Sequence, residues 1–282
     1  MSISFEFFPP KSPESLKHFQ TSALQLAELA PDFFSVTFGA GGSTRDGTIE
    51  AIKMLQEITT IKVAPHLSCT GYKKDELVHI IQAYQSLGAK RVIALRGDLP
   101  SGMGRQVGEV PYAKDLVALI RHATGDHFHI EVAAYPEFHP QSKSAYEDIY
   151  NLREKFEAGA DSAITQYFFN ADAYFYFLDE CAKQHIVKPI IPGIMPITQF
   201  AKLARFSEVC GAEIPRWLRK RLEGYGDDSD SIRSFGLEVI YNLSQRLISG
   251  GAPGLHIYTL NQAEESLILF NTLGSYQLNQ TT

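Results

Sequence analysis

Ile3-Ser4-Phe5-Glu6-Phe7-Phe8-Pro9-Pro10-Lys11-Ser12-Pro13-Glu14 contains the unit from which the fold is read. An aromatic run suited to a strand stops at two prolines, and a helix start follows, with Ser12 as N-cap and Pro13 at the first helical position. Leu16, Phe19, Ala23 and Leu26 then mark one apolar helical face. Strand-like runs recur near Phe33, Lys62, Arg91, His129, Ser162, Pro189 and Gly254, mostly about 30 residues apart, with helical periodicity between most of them. Gly88-Ala89, Gly159-Ala160 and Gly251-Ala252 each stand between a helix and the next strand, where glycine supplies the helix cap. Strands alternating with crossover helices predict a parallel sheet. Eight units without a linker predict an α/β fold, a (β/α)8 TIM barrel in a single domain over 1–282, with an extra helical segment before the last strand.

Composition narrows the function. The 282 residues are 44% hydrophobic with a net charge of −6, and basic residues are spread along the chain, so a small-molecule role is expected rather than nucleic acid or an anionic membrane. There is no leader-like N-terminus and no apolar run of membrane-spanning length, which predicts a soluble, cytoplasmic protein. Cys69, Cys181 and Cys210 form no CxxC pair and read as buried reduced thiols, with no metal expected. His127-Phe128-His129 has the HxH form but lies at the start of a strand and reads as a surface loop. Gly39-Ala40-Gly41-Gly42 and Gly102-Met103-Gly104 both miss the G-x-G-x-x-G spacing, so no Rossmann cofactor site is expected.

Strand side chains alternate between faces. Phe5 and Phe7 thus oppose Ser4 and Glu6; Phe34 and Val36 oppose Ser35 and Thr37; Pro65 and Leu67 oppose His66 and Ser68. Ile93 and Leu95 are set against Arg96 and Asp98, Ile130 and Val132 against Glu131 and Tyr135, and Leu255 and Ile257 against His256 and Tyr258. Outward faces of barrel strands pack on helices, while inward residues at the C-terminal strand ends build active sites. Glu6, Thr37, His66, Asp98, Tyr135, Gln166 and Tyr258 are therefore expected at one mouth. A carboxylate within an aromatic strand is a candidate general acid, because burial favours its protonated form. The glycine-rich loop from Leu99 to Pro111 suits a mobile lid or an open tip.

Seven motifs, in order, resemble those of the methylenetetrahydrofolate reductase family: Phe5-Glu6-Phe7-Phe8-Pro9-Pro10, Ala64-Pro65-His66-Leu67, Leu95-Arg96-Gly97-Asp98-Leu99-Pro100, Ala134-Tyr135-Pro136-Glu137-Phe138-His139-Pro140, Ile164-Thr165-Gln166-Tyr167-Phe168-Phe169, Ile191-Pro192-Gly193-Ile194 and Tyr258-Thr259-Leu260-Asn261. The resemblance implies an FAD-dependent barrel that passes a hydride from NADH or NADPH to 5,10-methylenetetrahydrofolate by ping-pong kinetics, giving 5-methyltetrahydrofolate for methionine synthesis. It further implies that Glu6 is the acid that protonates folate N10 and Asp98 the carboxylate that stabilises the cation formed. Gln166, Phe206 and Tyr258 would meet the substrate. Thr37, His66, Arg96, Gly97, Asp98, Tyr112, Ala113, Tyr135, His139, Asp148, Asn151 and Lys155 would hold FAD. The chain has Gln262 where the family has an Arg for the folate glutamate, and Lys202 is expected to supply that charge instead. A homo-oligomer without the C-terminal S-adenosylmethionine-binding domain is implied. Two alternatives are a proline dehydrogenase-like flavin barrel and a flavin-free pterin-binding barrel.

Overall fold

The eight expected strand starts are each met within one residue in a computed structural model, which describes residues 2–38, 44–97 and 108–280. The strands are β1 (Ser2–Phe7), β2 (Phe33–Val36), β3 (Val63–Ser68), β4 (Arg91–Leu95), β5 (His129–Ala134), β6 (Ser162–Thr165), β7 (Ile190–Ile191), β8 (Gly193–Ile194) and β9 (Gly254–Tyr258). All pairings are parallel, in the order β7-β6-β5-β4-β3-β2-β1-β9-β8. β7 and β8 are two halves of one strand, interrupted by Pro192. Proline has no N–H to give to a ladder, so the first half pairs with β6 and the second with β9, while the Pro192 carbonyl accepts from His256 N at 3.0 Å. That change of partner closes the barrel, and the fold belongs to the (β/α)8 TIM-barrel class.

The helices are α1 (Pro13–Ala27), α2 (Thr44–Ile58), α3 (Lys74–Ser86), α4 (Ala113–Thr124), α5 (Ala145–Glu157), α6 (Ala171–Lys183), α7 (Phe200–Cys210), α8 (Arg216–Tyr225), α9 (Ser229–Ser249) and α10 (Glu264–Gln280). Ser12 caps α1 by accepting from Ser15 N, with Pro13 in the first turn. The expected extra helical segment is α7, α8 and α9. Arg216, Arg219, Lys220 and Arg221 concentrate on α8, so the basic residues are less evenly spread than the sequence reading held.

Outward side chains bind the barrel to its helices. Phe5, Phe7, Phe34 and Leu67 are fully buried, and Phe7 meets Phe19 of α1 edge to face at 5.4 Å. Burying each such side chain contributes about 1.5–3 kcal/mol. Inside the barrel a separate apolar layer holds Phe33, Ala64, Ile93 and Ile164, flanked by Leu95 and Ile191. The parity expected for β4 is thereby corrected. Ile93 stands in register with His66 on one side and Glu131 on the other, so Ile93 and Leu95 face inward, and Val92 and Ala94 face the helices. An apolar strand buried on both faces carries no alternation to read.

Below this layer the barrel is polar. Glu131 is 1% exposed and bonds Arg91, whose guanidinium also lies 4.5 Å over the Phe33 ring. His129 corrects a second expectation. It heads β5 with Nε2 2.7 Å from Ser162 Oγ and 3.9 Å from Glu131, while His127 Nε2 meets Ala89 O at 3.0 Å; the pair is not a loose surface loop. Burial raises the Glu131 pKa against the opposing pull of Arg91. Removing one partner of a buried pair leaves an uncompensated charge. Arg91→Met should therefore cost about 3 kcal/mol in urea unfolding at pH 7, and adding Glu131→Leu should recover most of it. Equal losses in the single and double variants would show that the pair's electrostatics do not set the cost.

Candidate active site

Glu6 is the last β1 residue in register with β9, opposite Tyr258, and opposite Ser35 of β2. Its side chain remains 20% exposed, at the open end of the strand. Two imidazoles face its Oε2: His66 Nε2 at 3.5 Å and His256 Nε2 at 3.8 Å. Neither nitrogen has a hydrogen-bond partner among the described residues. Ser4 Oγ sits 2.7 Å from His256 Nδ1 and fixes that ring, which leaves Nε2 for Glu6. Burial lowers the His66 pKa to about 4, only partly offset by the Glu6 charge, so His66 is neutral near pH 7. The group is one carboxyl and two imidazoles at the floor of the mouth, within electrostatic range and without a hydrogen bond between them.

Tyr258 walls one side. Its hydroxyl donates to Thr165 O at 2.7 Å, and burial, followed by the Glu6 charge, raises its pKa well above the usual value, so it remains a neutral donor. The ring crosses directly over Gly193, where an added Cβ would lie 2.6 Å from Tyr258 Cε2 and 2.2 Å from Thr165 O. Gly193 N also donates to Thr165 Oγ1 at 2.9 Å, so β6, β8 and β9 are cross-linked at one level.

Of the residues expected around a cofactor, several gather at the ends of β3, β4 and β5. Arg96 leaves β4 half-buried and donates to Gln141 Oε1 at 2.6 Å. Gly97 has φ +87°, and a Cβ there would lie 1.8 Å from Ser68 Oγ, so no side chain fits beside this backbone. Tyr135 and His139 meet edge to face at 4.6 Å. Asp148 accepts from His139 N at 2.9 Å and Ser142 Oγ at 3.2 Å, thus shaping the loop after β5. Lys155 donates to Ala133 O at 2.5 Å, and burial lowers its pKa to about 8 against the pull of Asp148. Thr37 is half-buried at the end of β2, with its N–H donated to Phe7 O at 2.9 Å. Tyr112 and Ala113 begin α4, Tyr112 exposed, and Asn151 is exposed on α5. Asp98 and the loop through residue 107 lie outside the described residues, as do Gly39 to Gly42.

Beside this group, past the end of β6, Gln166 is half-buried, its Oε1 accepting from Tyr167 N at 3.0 Å. It lines a shallow cleft with Tyr135, Glu137, Phe138, Tyr167 and Cys210 that has room for about one water. Burial pushes the Glu137 carboxyl up to about 7, despite the Glu213 N–H that it accepts at 2.8 Å. Lys202 and Phe206 are exposed on α7, one turn apart, and Gln262 is exposed just past β9. Cys210 is half-buried rather than buried, with Sγ 3.3 Å from the Tyr167 hydroxyl. A larger hollow between α8 and α9, lined by Arg221, Tyr225 and Phe235, involves no strand end.

Residue reading missed several members of this site. His256 was legible by parity but not counted, and Ser4 gave no signal beyond its alternation with Phe5. Thr259 and Asn261 act through hydrogen bonds that no strand pattern encodes. No helix among the described residues is long and apolar enough to cross a membrane.

Comparison with known proteins agrees with the fold and gives the family. The family model described as methylenetetrahydrofolate reductase matches residues 1–274. The 5,10-methylenetetrahydrofolate reductase of Salmonella typhimurium is 40% identical over 274 residues, covering 97% of this chain and 91% of that protein. Methylenetetrahydrofolate reductase (NADH) 1 of Arabidopsis thaliana is 34% identical and covers 97% of this chain but 48% of the plant protein. Among solved structures, an uncharacterised Clostridium thermocellum protein that binds two copies of 5-methyl-5,6,7,8-tetrahydrofolic acid shares the fold, with a TM-score of 0.68 at 19% identity over 95% of this chain and 93% of its own. With a whole-length family match and 40% identity to curated members, this chain belongs to the methylenetetrahydrofolate reductase family of oxidoreductases.

Proposed function

We propose that the protein reduces 5,10-methylenetetrahydrofolate to 5-methyltetrahydrofolate with electrons from NADH or NADPH, carried by FAD in ping-pong order, and that Glu6 is its general acid. The observation that carries this reading is the position of Glu6: one carboxyl inside the mouth, facing a neutral His66 and the free Nε2 of His256. Bound FAD would accept a hydride from the nicotinamide and deliver it to the folate.

The residues present fit that cofactor. Side-chain-free Gly97 leaves room for close approach of the backbone, and Arg96 and Lys155 supply cations suited to a pyrophosphate. Thr37, His66, Tyr135 and His139 would line the remaining surface, with Tyr112, Ala113, Asp148 and Asn151 farther along. Asp98, next in sequence, would place a carboxylate beside the pterin.

The chain's own chemistry then follows. Glu6 gives its proton to folate N10; the C–N10 bond breaks, the five-membered ring opens, and the positive charge settles on the iminium at N5. Asp98 stabilises that cation, which makes the one-carbon unit a hydride acceptor. His256, oriented by Ser4, would return a proton to Glu6 once the two close from 3.8 Å to hydrogen-bond distance. Gln166 would bond the pterin, Phe206 would stack on the bound substrate, and Tyr258 would close the wall beside it. Lys202 would pair with the folate glutamate from α7, with uncharged Gln262 on the other rim. We place this reaction in the cytoplasm, in a single-domain homo-oligomer that supplies methyl groups for methionine.

In rapid-mixing experiments Glu6→Gln should leave NADH-dependent bleaching of the flavin within about twofold of wild type, and slow its reoxidation by methylenetetrahydrofolate by about 10²-fold or more, the usual contribution of a general acid. Reoxidation at the wild-type rate would refute the assignment. Lys202→Ala should raise KM for the folate about tenfold with kcat little changed, as expected on losing one charge-assisted contact of about 1.4 kcal/mol. An unchanged KM would remove Lys202 from the substrate site.

A further inference from the structure

The ladder between β1 and β9 ends at Glu6 and Tyr258, yet the backbone past Glu6 is still held. Thr259 Oγ1 donates to Glu6 O at 2.6 Å and accepts from Asn261 N at 3.1 Å. The Asn261 amide accepts from Phe8 N at 2.9 Å and donates to Phe8 O at 2.9 Å, which satisfies both main-chain groups of one residue with one side chain. Ser22 of α1 donates to Asn261 O at 2.9 Å and ties the turn to the helix that follows β1. Thr259 is 3% exposed and Asn261 7%.

This arrangement is bought with strain. Leu260 has φ 52° and Asn261 φ 59°, two consecutive non-glycine residues in left-handed conformation. Asparagine tolerates that region; leucine does not. The left-handed pair turns the chain back toward β1, so the Asn261 amide takes the place that a continued strand would occupy while the main chain departs for α10. Barrel closure does not require it, since the ladder from Ser2↔Gly254 to Glu6↔Tyr258 already pairs the strands. Besides its tie to Ser22, the turn adds bonds to Glu6 O and to both main-chain groups of Phe8, next to the Glu6 carboxyl.

We propose that Thr259 and Asn261 are positioning residues for Glu6: a side-chain clamp continues the ladder past its last register pair and holds the carboxyl against His66 and His256. The inference rests on Glu6 being the acid, and it adds the means by which the acid is aimed.

Asn261→Gly separates aiming from folding. Glycine adopts φ near 59° without strain and keeps the main-chain bonds to Thr259 and Ser22, but loses both bonds to Phe8. In the full-length flavin-loaded protein we expect the Phe8 amide to exchange with deuterium about tenfold faster or more, with the thermal midpoint within a few degrees of wild type. Flavin reoxidation by methylenetetrahydrofolate should slow by about tenfold or more with a displaced pH profile, since small misplacements of a reacting group are costly, while bleaching by NADH stays within about twofold. Asn261→Asp, which keeps an acceptor for Phe8 N and loses the donor to Phe8 O, should fall between. An unchanged Phe8 amide would overturn the clamp, as would a freed amide with folate reduction at the wild-type rate or equal slowing of both half-reactions. Glu6→Gln, measured alongside, distinguishes the failures: if it reduces folate normally the acid assignment falls, and if it is slow while Asn261→Gly is not, only the clamp falls.

Discussion

The parallel ladder joining Ser2–Glu6 to Gly254–Tyr258 converts a run of crossover units into a closed surface, and the site exists only because of it. Without that ladder β1 would be an edge strand, and Glu6 would have no β9 neighbour. Closure sets it between β2 and β9, with His66 and His256 both within 4 Å of one carboxyl oxygen. The long crossover through α7, α8 and α9 is what carries the chain back to complete that ladder, and its first helix carries the exposed Lys202 and Phe206.

A closed barrel of this size buries whatever its strands point inward, so the inward polar residues need partners inside. They are found in layers. Arg91, Glu131, His129 and Ser162 pair near the N-terminal strand ends; Ser4 and His256 pair higher up; Glu6 and His66 face each other at the mouth. The lower layer is held by an ion pair, whereas Glu6 has imidazoles, one of them neutral, and no close cation among the described residues. The two layers therefore satisfy their carboxyl groups differently, one with a cation and one with imidazoles.

How much of this was legible varies with the kind of information involved. Strand starts, the Ser12-Pro13 helix start and the glycine caps were readable because they are local: each depends on residues adjacent in sequence. Parity worked where a strand has one apolar and one polar face, as at Phe5-Glu6-Phe7 or Leu255-His256-Ile257, and failed at Val92-Ile93-Ala94-Leu95, apolar on both faces. The split at Pro192 was invisible as a change of strand partner, since partner choice is a property of closure rather than of the segment. Contacts such as Asn261 to Phe8 or Lys155 to Ala133 join residues far apart in the chain through single side chains, and no periodicity announces them.

Gly193 carries a consequence for how this sequence can drift. The Tyr258 ring and the Thr165 carbonyl occupy the volume where its side chain would be, and the Thr165 hydroxyl takes its N–H. The nearer clash, at 2.2 Å, is with a main-chain carbonyl that no change of side chain at 165 removes, so shrinking the ring at 258 does not by itself admit alanine at 193. Drift here is one-sided: the ring at 258 can change while 193 stays glycine, and any such change alters the wall beside Glu6 in the same step. Packing and chemistry therefore cannot vary independently at this level of the barrel.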